Sequence, residues 1–255
     1  MIKTIRSLFT ASAAAFGLAL ALVSGSTQAA TINYGNFGPV PPGVSFLAVT
    51  ESSATDGVPL YGPPTPFSIG LDFKPATFVS SSSGGSNDIT DGQLNFTLQS
   101  GPLGLTNLSL SEAGDYSLAG VGTPATSVFA GLNVRVTITQ LNGVNIAPVN
   151  LPPINASVGF ALPPTQISQP WSLGTSINIG AQVASLFGPG SLATRADVVL
   201  NNTLLSFSEP GTIAFIAKKD FTVTVGTTPP VPEPATAALL FVGLIAAGSP
   251  CSRKR

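Results

Sequence analysis

The sequence predicts an all-β fold, an antiparallel β-sandwich or jelly roll, flanked by an apolar segment at each end. Three observations predict it. Residues 30–225 carry a hydrophobic period of two, turn dipeptides interrupt that period at short intervals, and only 8% of the chain is charged. Ordinary soluble domains are roughly 25% charged. Here Ser, Thr, Asn and Gly do the solubilising, which suits solvent-facing strand positions and turns better than long helices. With 255 residues the chain is long enough to close one large β domain around a real core.

The N-terminal segment, residues 1–29, has the three parts of a secretory signal peptide. Lys3 and Arg6 form a basic start, residues 8–23 are apolar and rich in Ala and Leu, and Ser26, Thr27 and Ala29 are small. Thr27 and Ala29 occupy the two positions that signal peptidase reads, so cleavage is expected after Ala29, with Ala30 as the first mature residue.

The body, residues 30–225, follows. In "FSIGLDF" Phe67, Ile69, Leu71 and Phe73 alternate with smaller residues, and in "QLNFTLQ" Leu94, Phe96 and Leu98 share one face. "AGLNVRVTITQ" places Ala130, Leu132, Val134, Val136 and Ile138 on one face, and "DFTVTV" does the same with Phe221, Val223 and Val225. Asn142-Gly143 between Leu141 and Val144 is the strongest hairpin signal and matches a type I′ turn. Asn201-Asn202, Asp91-Gly92, Pro63-Pro64, Pro152-Pro153 and Pro163-Pro164 read as further breaks, and residues 80–86 (SSSSGGS) as a flexible loop. Roughly ten to twelve short strands are expected. Residues 180–188 (GAQVASLFG) read as one short helix, and Lys218-Lys219-Asp220 as a solvated turn.

Residues 226–230 (GTTPP) form a semi-rigid linker to the tail, residues 231–255. Val231-Pro232-Glu233-Pro234 precedes a mostly apolar run, residues 235–248, and the chain then carries the basic cluster Arg253, Lys254 and Arg255. Each proline lacks an N–H and holds the residue before it extended, so the motif suits a protease groove at a membrane surface. The run is shorter than the roughly 20 residues of a typical spanning helix. It reads as a transmembrane sorting helix, with the basic residues kept in the cytoplasm by the positive-inside rule.

This order of elements resembles the PEP-CTERM sorting signal of Gram-negative exported proteins, whose tail is also labelled an ice-binding protein C-terminal domain without implying ice binding. The resemblance covers only the last 25 residues or so. It departs from the family at Ser249-Pro250-Cys251, which separates the apolar run from the basic cluster. It implies recognition and cleavage by exosortase, a membrane-embedded cysteine protease or transpeptidase, in cells that make exopolysaccharide and biofilm.

Inventory narrows the chemistry of the body. The chain has no histidine, and its single cysteine, Cys251, lies in the tail. Histidine-dependent triads, thiol nucleophiles and Cys/His zinc sites are therefore excluded from the body. Five basic residues face ten acidic ones there, a net charge of about −5. No basic footprint for nucleic acid exists.

Asn87, Asp88 and Asp91 in "SNDITDGQ" are candidate Ca²⁺ ligands, although the EF-hand spacing is absent and Asx residues also serve turns. Glu51, Asp56, Glu112, Asp115 and Glu209 are candidate carboxylates for glycoside hydrolysis, should two meet across a cleft. Trp171, Tyr34, Tyr61 and Tyr116 are candidates for a sugar-stacking platform, with core filling as the alternative for Trp171.

The expected protein is exported with the help of signal peptidase, anchored in the inner membrane as a precursor, and handled by exosortase. It ends at the cell surface or in the extracellular matrix in a non-catalytic, structural role. A carbohydrate- or polymer-binding module is the alternative, with polysaccharide as partner, and a glycoside hydrolase comes third.

Overall fold

The computed structural model describes residues 30–41 and 43–228. The expected signal segment with Thr27 and Ala29, the expected sorting motif Val231-Pro232-Glu233-Pro234, the apolar run and Arg253, Lys254 and Arg255 lie outside the described residues.

Among the described residues thirteen strands, numbered along the chain, form two antiparallel sheets. The larger sheet runs β1 (Ala30–Val40), β2 (Val44–Ser53), β6 (Asn87–Gln99), β12 (Ala193–Phe207), β8 (Ser127–Leu141), β10 (Ile154–Ala161), with β9 (Val144–Asn150) also on β8. The smaller runs β11 (Gln166–Ile177), β7 (Gly104–Gly120), β13 (Thr212–Thr228), β4 (Gly70–Phe73), β3 (Thr65–Phe67), with β5 (Val79–Ser83) also on β13. The inner faces meet in one hydrophobic core, giving a β-sandwich.

The period of two explains which residues reach that core. Ala130, Leu132, Val134, Val136 and Ile138 of β8 are all buried, as are Leu94, Phe96 and Leu98 of β6 and Phe221, Val223 and Val225 of β13. Asn142-Gly143 makes the expected two-residue hairpin, with Leu141 paired to Val144 and φ of 49° and 79° at the turn. The short helix is present as α1 (Ile179–Phe187), capped by Asn178, whose Oδ1 accepts the Ala181 N–H at 2.9 Å.

Several expected breaks are strand interior instead. Asn201-Asn202 lies inside β12, which pairs β6 on one side and β8 on the other. Cross-strand pairing on both edges outweighs the local turn preference of Asn. Asp91-Gly92 lies inside β6, and Gly92 is needed for packing: a Cβ there would sit 2.6 Å from Phe78 Cε2.

Residues 80–86 are not a free loop, because β5 occupies most of them and pairs with β13 from Val79↔Ala217 to Ser83↔Ile213. Residues 67–73 form two strands around a turn that leaves Ile69 exposed, while Leu71 and Phe73 are fully buried. β13 continues to Thr228, so residues 226–228 of the expected linker belong to the sheet.

Lys218-Lys219-Asp220 is not a solvated turn. It lies mid-β13, at a register shift opposite β7 between Lys218 and Asp220. The extra residue, Lys219, faces solvent and pairs with Asp115 at 2.6 Å. The bulge also reverses parity. Before it Thr212, Ala214, Ile216 and Lys218 point inward; after it Phe221, Val223 and Val225 do.

Candidate functional site in the sandwich core

The inward parity of three strands carries three polar residues into one place. Lys218 sits on β13 and Glu112 on the neighbouring β7, both in the smaller sheet; Asn202 faces them from β12 of the larger one. All three are buried in the core. The Lys218 ammonium pairs with Glu112 Oε2, and the same oxygen accepts the Asn202 Nδ2–H at 2.7 Å. Asn202 Nδ2 also reaches the Gly131 carbonyl at 3.4 Å, and Asn202 Oδ1 accepts the Tyr61 hydroxyl at 2.7 Å. The partners fix the amide orientation, with nitrogen toward the carboxylate and oxygen toward the phenol.

Aromatic rings close the rest of the site. Lys218 Nζ lies 4.6 Å from the centre of the Phe78 ring, 5.2 Å from Phe221 and 5.5 Å from Tyr61. Burial pushes the Lys218 ammonium below its ordinary value, against the opposing pull of Glu112. Burial and the nearby carboxylates of Glu112, Glu51 and Asp91 push the Tyr61 hydroxyl well above its ordinary value, so it remains a donor. Beyond its contact with Glu112 Oε2, Lys218 Nζ has no hydrogen-bond partner among the described residues, and Glu112 Oε1 has none.

Tyr61 is held in turn by Glu51. Glu51 Oε1 accepts the backbone N–H of Leu60 and, at 3.2 Å, that of Tyr61, while Oε2 accepts the Tyr34 hydroxyl at 2.6 Å. Glu51 is fully buried on β2.

The candidate carboxylates thus divide. Glu51 and Glu112 are sealed in the core, where no sugar reaches them. Asp56 accepts the Thr55 hydroxyl at 2.7 Å, and Asp115 pairs with Lys219. Glu209 accepts the Thr123 N–H and hydroxyl at 2.7 and 2.9 Å and the Thr126 hydroxyl at 2.9 Å, bonds that hold it below the usual carboxylate range.

Asn87, Asp88 and Asp91 lie along β6, with Asp88 and Asp91 on opposite faces by strand parity. Asp88 Oδ2 accepts the Ser81 N–H at 2.8 Å, and Asp91 Oδ1 accepts the Thr203 hydroxyl at 2.6 Å. Among the described residues no group of three or more His, Cys, Asp or Glu is placed to hold a metal ion.

The four large aromatics do not make a platform. Trp171 is buried and its indole N–H donates to the Ala217 carbonyl at 3.1 Å, which is the core alternative. Tyr61 and Tyr116 are buried too, Tyr116 stacked on Phe160 at 3.9 Å, and Tyr34 is spent on Glu51. An exposed aromatic lies elsewhere, on the outer face of the larger sheet. Phe129 rests over Gly131 and Gly159: a Cβ on Gly131 would sit 2.8 Å from its ring, and one on Gly159 would sit 3.7 Å away. Beside it is a shallow depression of about 440 Å³ lined by Asn133, Asn155, Ser157 and Asn201.

No protein-family model matches the chain, and no curated protein matches it in sequence. Among solved structures it is similar to the enzymatically active domain of bacteriophage CBA120 tailspike protein 4, at 14% identity and a TM-score of 0.17. That likeness covers 74% of this chain and 19% of the tailspike chain, so the chain spans about a fifth of it. A second likeness is to infectious bursal disease virus, Gt strain, at 13% identity and a TM-score of 0.11, over 81% of this chain and 57% of the viral one. At these TM-scores neither likeness bears on function.

Proposed function

We propose that the chain is an exported, non-catalytic component of a bacterial surface or extracellular matrix, made as a membrane-anchored precursor and processed at both ends. The carrying observation is the sequence of the two ends. Thr27-Gln28-Ala29 closes a signal peptide, and Val231-Pro232-Glu233-Pro234 opens a tail of apolar run and basic cluster. The sealing of Glu51 and Glu112 supports the non-catalytic part, since these carboxylates serve the packing of the sandwich. Mature protein from a host with active exosortase is expected to begin at Ala30 or within a residue or two of it, and to lack the apolar tail. Terminal peptide mapping reads this directly. Recovery of chain ending at Arg255 from that host overturns the processing reading.

The outer face of the larger sheet favours a second role, binding of neutral polysaccharide. A flat, partly exposed Phe129 ring offers a surface for the C–H face of a sugar, and the neighbouring Asn and Ser side chains offer hydrogen bonds. Acidic polymers are disfavoured by the net negative body. Affinity electrophoresis in gels containing neutral glucans is expected to show retardation, reduced at least about fivefold by Phe129→Ala, a loss of roughly 1 kcal/mol. Equal retardation of the variant, or release of reducing sugar that vanishes when one acidic residue is replaced, overturns this role or the non-catalytic one respectively.

A further inference from the structure

The buried cluster contains every part needed to make a covalent bond within the chain. We propose that Lys218 Nζ and Asn202 Cγ become joined by an intramolecular amide, an isopeptide bond tying β13 to β12, with the Glu112 carboxyl carrying the protons. The inference stands on the core geometry and is independent of export or polysaccharide binding.

Four features carry it. The nucleophile and the leaving group share one oxygen, since Lys218 Nζ and Asn202 Nδ2 both contact Glu112 Oε2. The electrophile is polarised, because the Tyr61 hydroxyl donates to Asn202 Oδ1 at 2.7 Å, where negative charge develops on attack. All the participants are buried, so water does not compete and the two side chains meet at high effective concentration. The ion pair is also poorly solvated for a merely structural one. Apart from Glu112 Oε2 the ammonium has no hydrogen-bond partner among the described residues, and Glu112 Oε1 has none, whereas settled buried charges satisfy their remaining donors and acceptors.

The step balances without an oxidant or added reagent. Glu112 takes a proton from the Lys218 ammonium, and burial assists by disfavouring the charged amine. The free amine attacks Asn202 Cγ, and a tetrahedral oxyanion forms against the Tyr61 hydroxyl. Glu112 passes its proton to Nδ2 and takes up the surplus proton of the attacking nitrogen, the Cγ–Nδ2 bond breaks, and ammonia departs. Lysine ammonium, Glu112 carboxylate and asparagine carboxamide become a secondary amide, a neutral Glu112 carboxyl and ammonia. Both charges of the buried pair are thereby removed from the core.

The consequence is mechanical. The bond joins the last two strands across the sandwich, one from each sheet, and β13 is the strand from which the chain leads toward its tail. The body has no cysteine, so disulfides cannot supply such a tie.

Mass spectrometry tests it on the full chain. After folding, purification and denaturation, the protein is expected to weigh about 17 Da, one ammonia, less than its assigned termini require, because the amine displaces the amide nitrogen. Digestion is expected to give a branched peptide joining the segments around Lys218 and Asn202. Asn142-Gly143 offers another route to ammonia loss through a succinimide, so Lys218→Met must abolish the deficit. Glu112→Gln keeps both reacting groups and removes the proton carrier, and is expected to slow branching on the order of 100-fold. An unbranched Lys218 peptide from folded wild-type protein overturns the proposal whatever the variants do. A deficit retained by Lys218→Met overturns it as well, and wild-type branching rates in Glu112→Gln remove Glu112 from the step.

Discussion

Relative to the folded chain before cross-linking, Glu112→Ala is expected to lower the free energy of unfolding by about 3–5 kcal/mol, the range for breaking a buried ion pair by removing one partner. The reason is what stays behind. Lys218 keeps its place on β13 between Phe78, Phe221 and Tyr61, and its ammonium then has three rings and no carboxylate. Asn202 Nδ2 keeps only the longer contact to Gly131.

The variant also acquires a distinctive pH dependence. The folded lysine titrates below its ordinary value because it is buried, and the unfolded one titrates near ~10.4. Between those two values the unfolded chain binds more protons, so stability rises with pH across that interval. Below the folded value the penalty is present in full. Guanidinium melts near pH 7 and pH 9.5 read both the loss and its partial recovery. Cross-linked wild-type protein has no titrating Lys218 and is expected to lack that slope. The double change Lys218→Met with Glu112→Leu removes the stranded charge, and is expected to recover the part of the loss that the charge causes. A Glu112→Ala melt equal to that of wild type would show that the cluster carries no such energy.

The strands were legible because alternation is a local signal; the interior cluster consists of exceptions to that alternation and was missed. Lys218 follows Thr212, Ala214 and Ile216 on the inward parity of β13; Glu112 follows Leu108 and Leu110; Asn202 follows Ala196, Val198 and Leu200. A polar residue on an apolar parity is the mark of a buried polar group. Turn propensity hid it, since Asn-Asn and Lys-Lys-Asp favour turns in isolation. In the fold β12 is paired along both edges, and the bulge at Lys219 lets β13 pass through the charged stretch without leaving the sheet.

What sequence could not supply was which exceptions meet. Residues 112, 202 and 218 converge only through the order β7-β13 in one sheet and the facing of β12 in the other. The candidate platform failed for a related reason. Trp171, Tyr61 and Tyr116 are buried, whereas Phe129 falls on the outward parity of β8, where its two glycine neighbours leave room for its ring.

Glu51→Ala is expected to cost about 3–5 kcal/mol, through hydrogen bonds rather than a lost ion pair. The carboxyl of Glu51 accepts three donors inside the sandwich: the N–H groups of Leu60 and Tyr61 and the Tyr34 hydroxyl. A buried N–H left without an acceptor costs roughly 1–3 kcal/mol. Alanine orphans two backbone donors at once, in the segment that carries the Tyr61 ring against Phe73, Phe78 and Phe221. The damage therefore spreads from β2 to the lysine cage. Leu60 and Tyr61 amide protons are expected to exchange with solvent far faster in this variant, while those of β8 slow or quicken only with global stability. Glu51→Gln retains an oxygen for both N–H groups and turns its amide toward Tyr34, whose hydroxyl can accept as well as donate. It is expected to lose only about 1 kcal/mol. A catalytic carboxyl gives the opposite pattern, with Gln abolishing activity at little cost in stability. Equal melting of Glu51→Ala and Glu51→Gln would remove the anchoring role assigned to this residue.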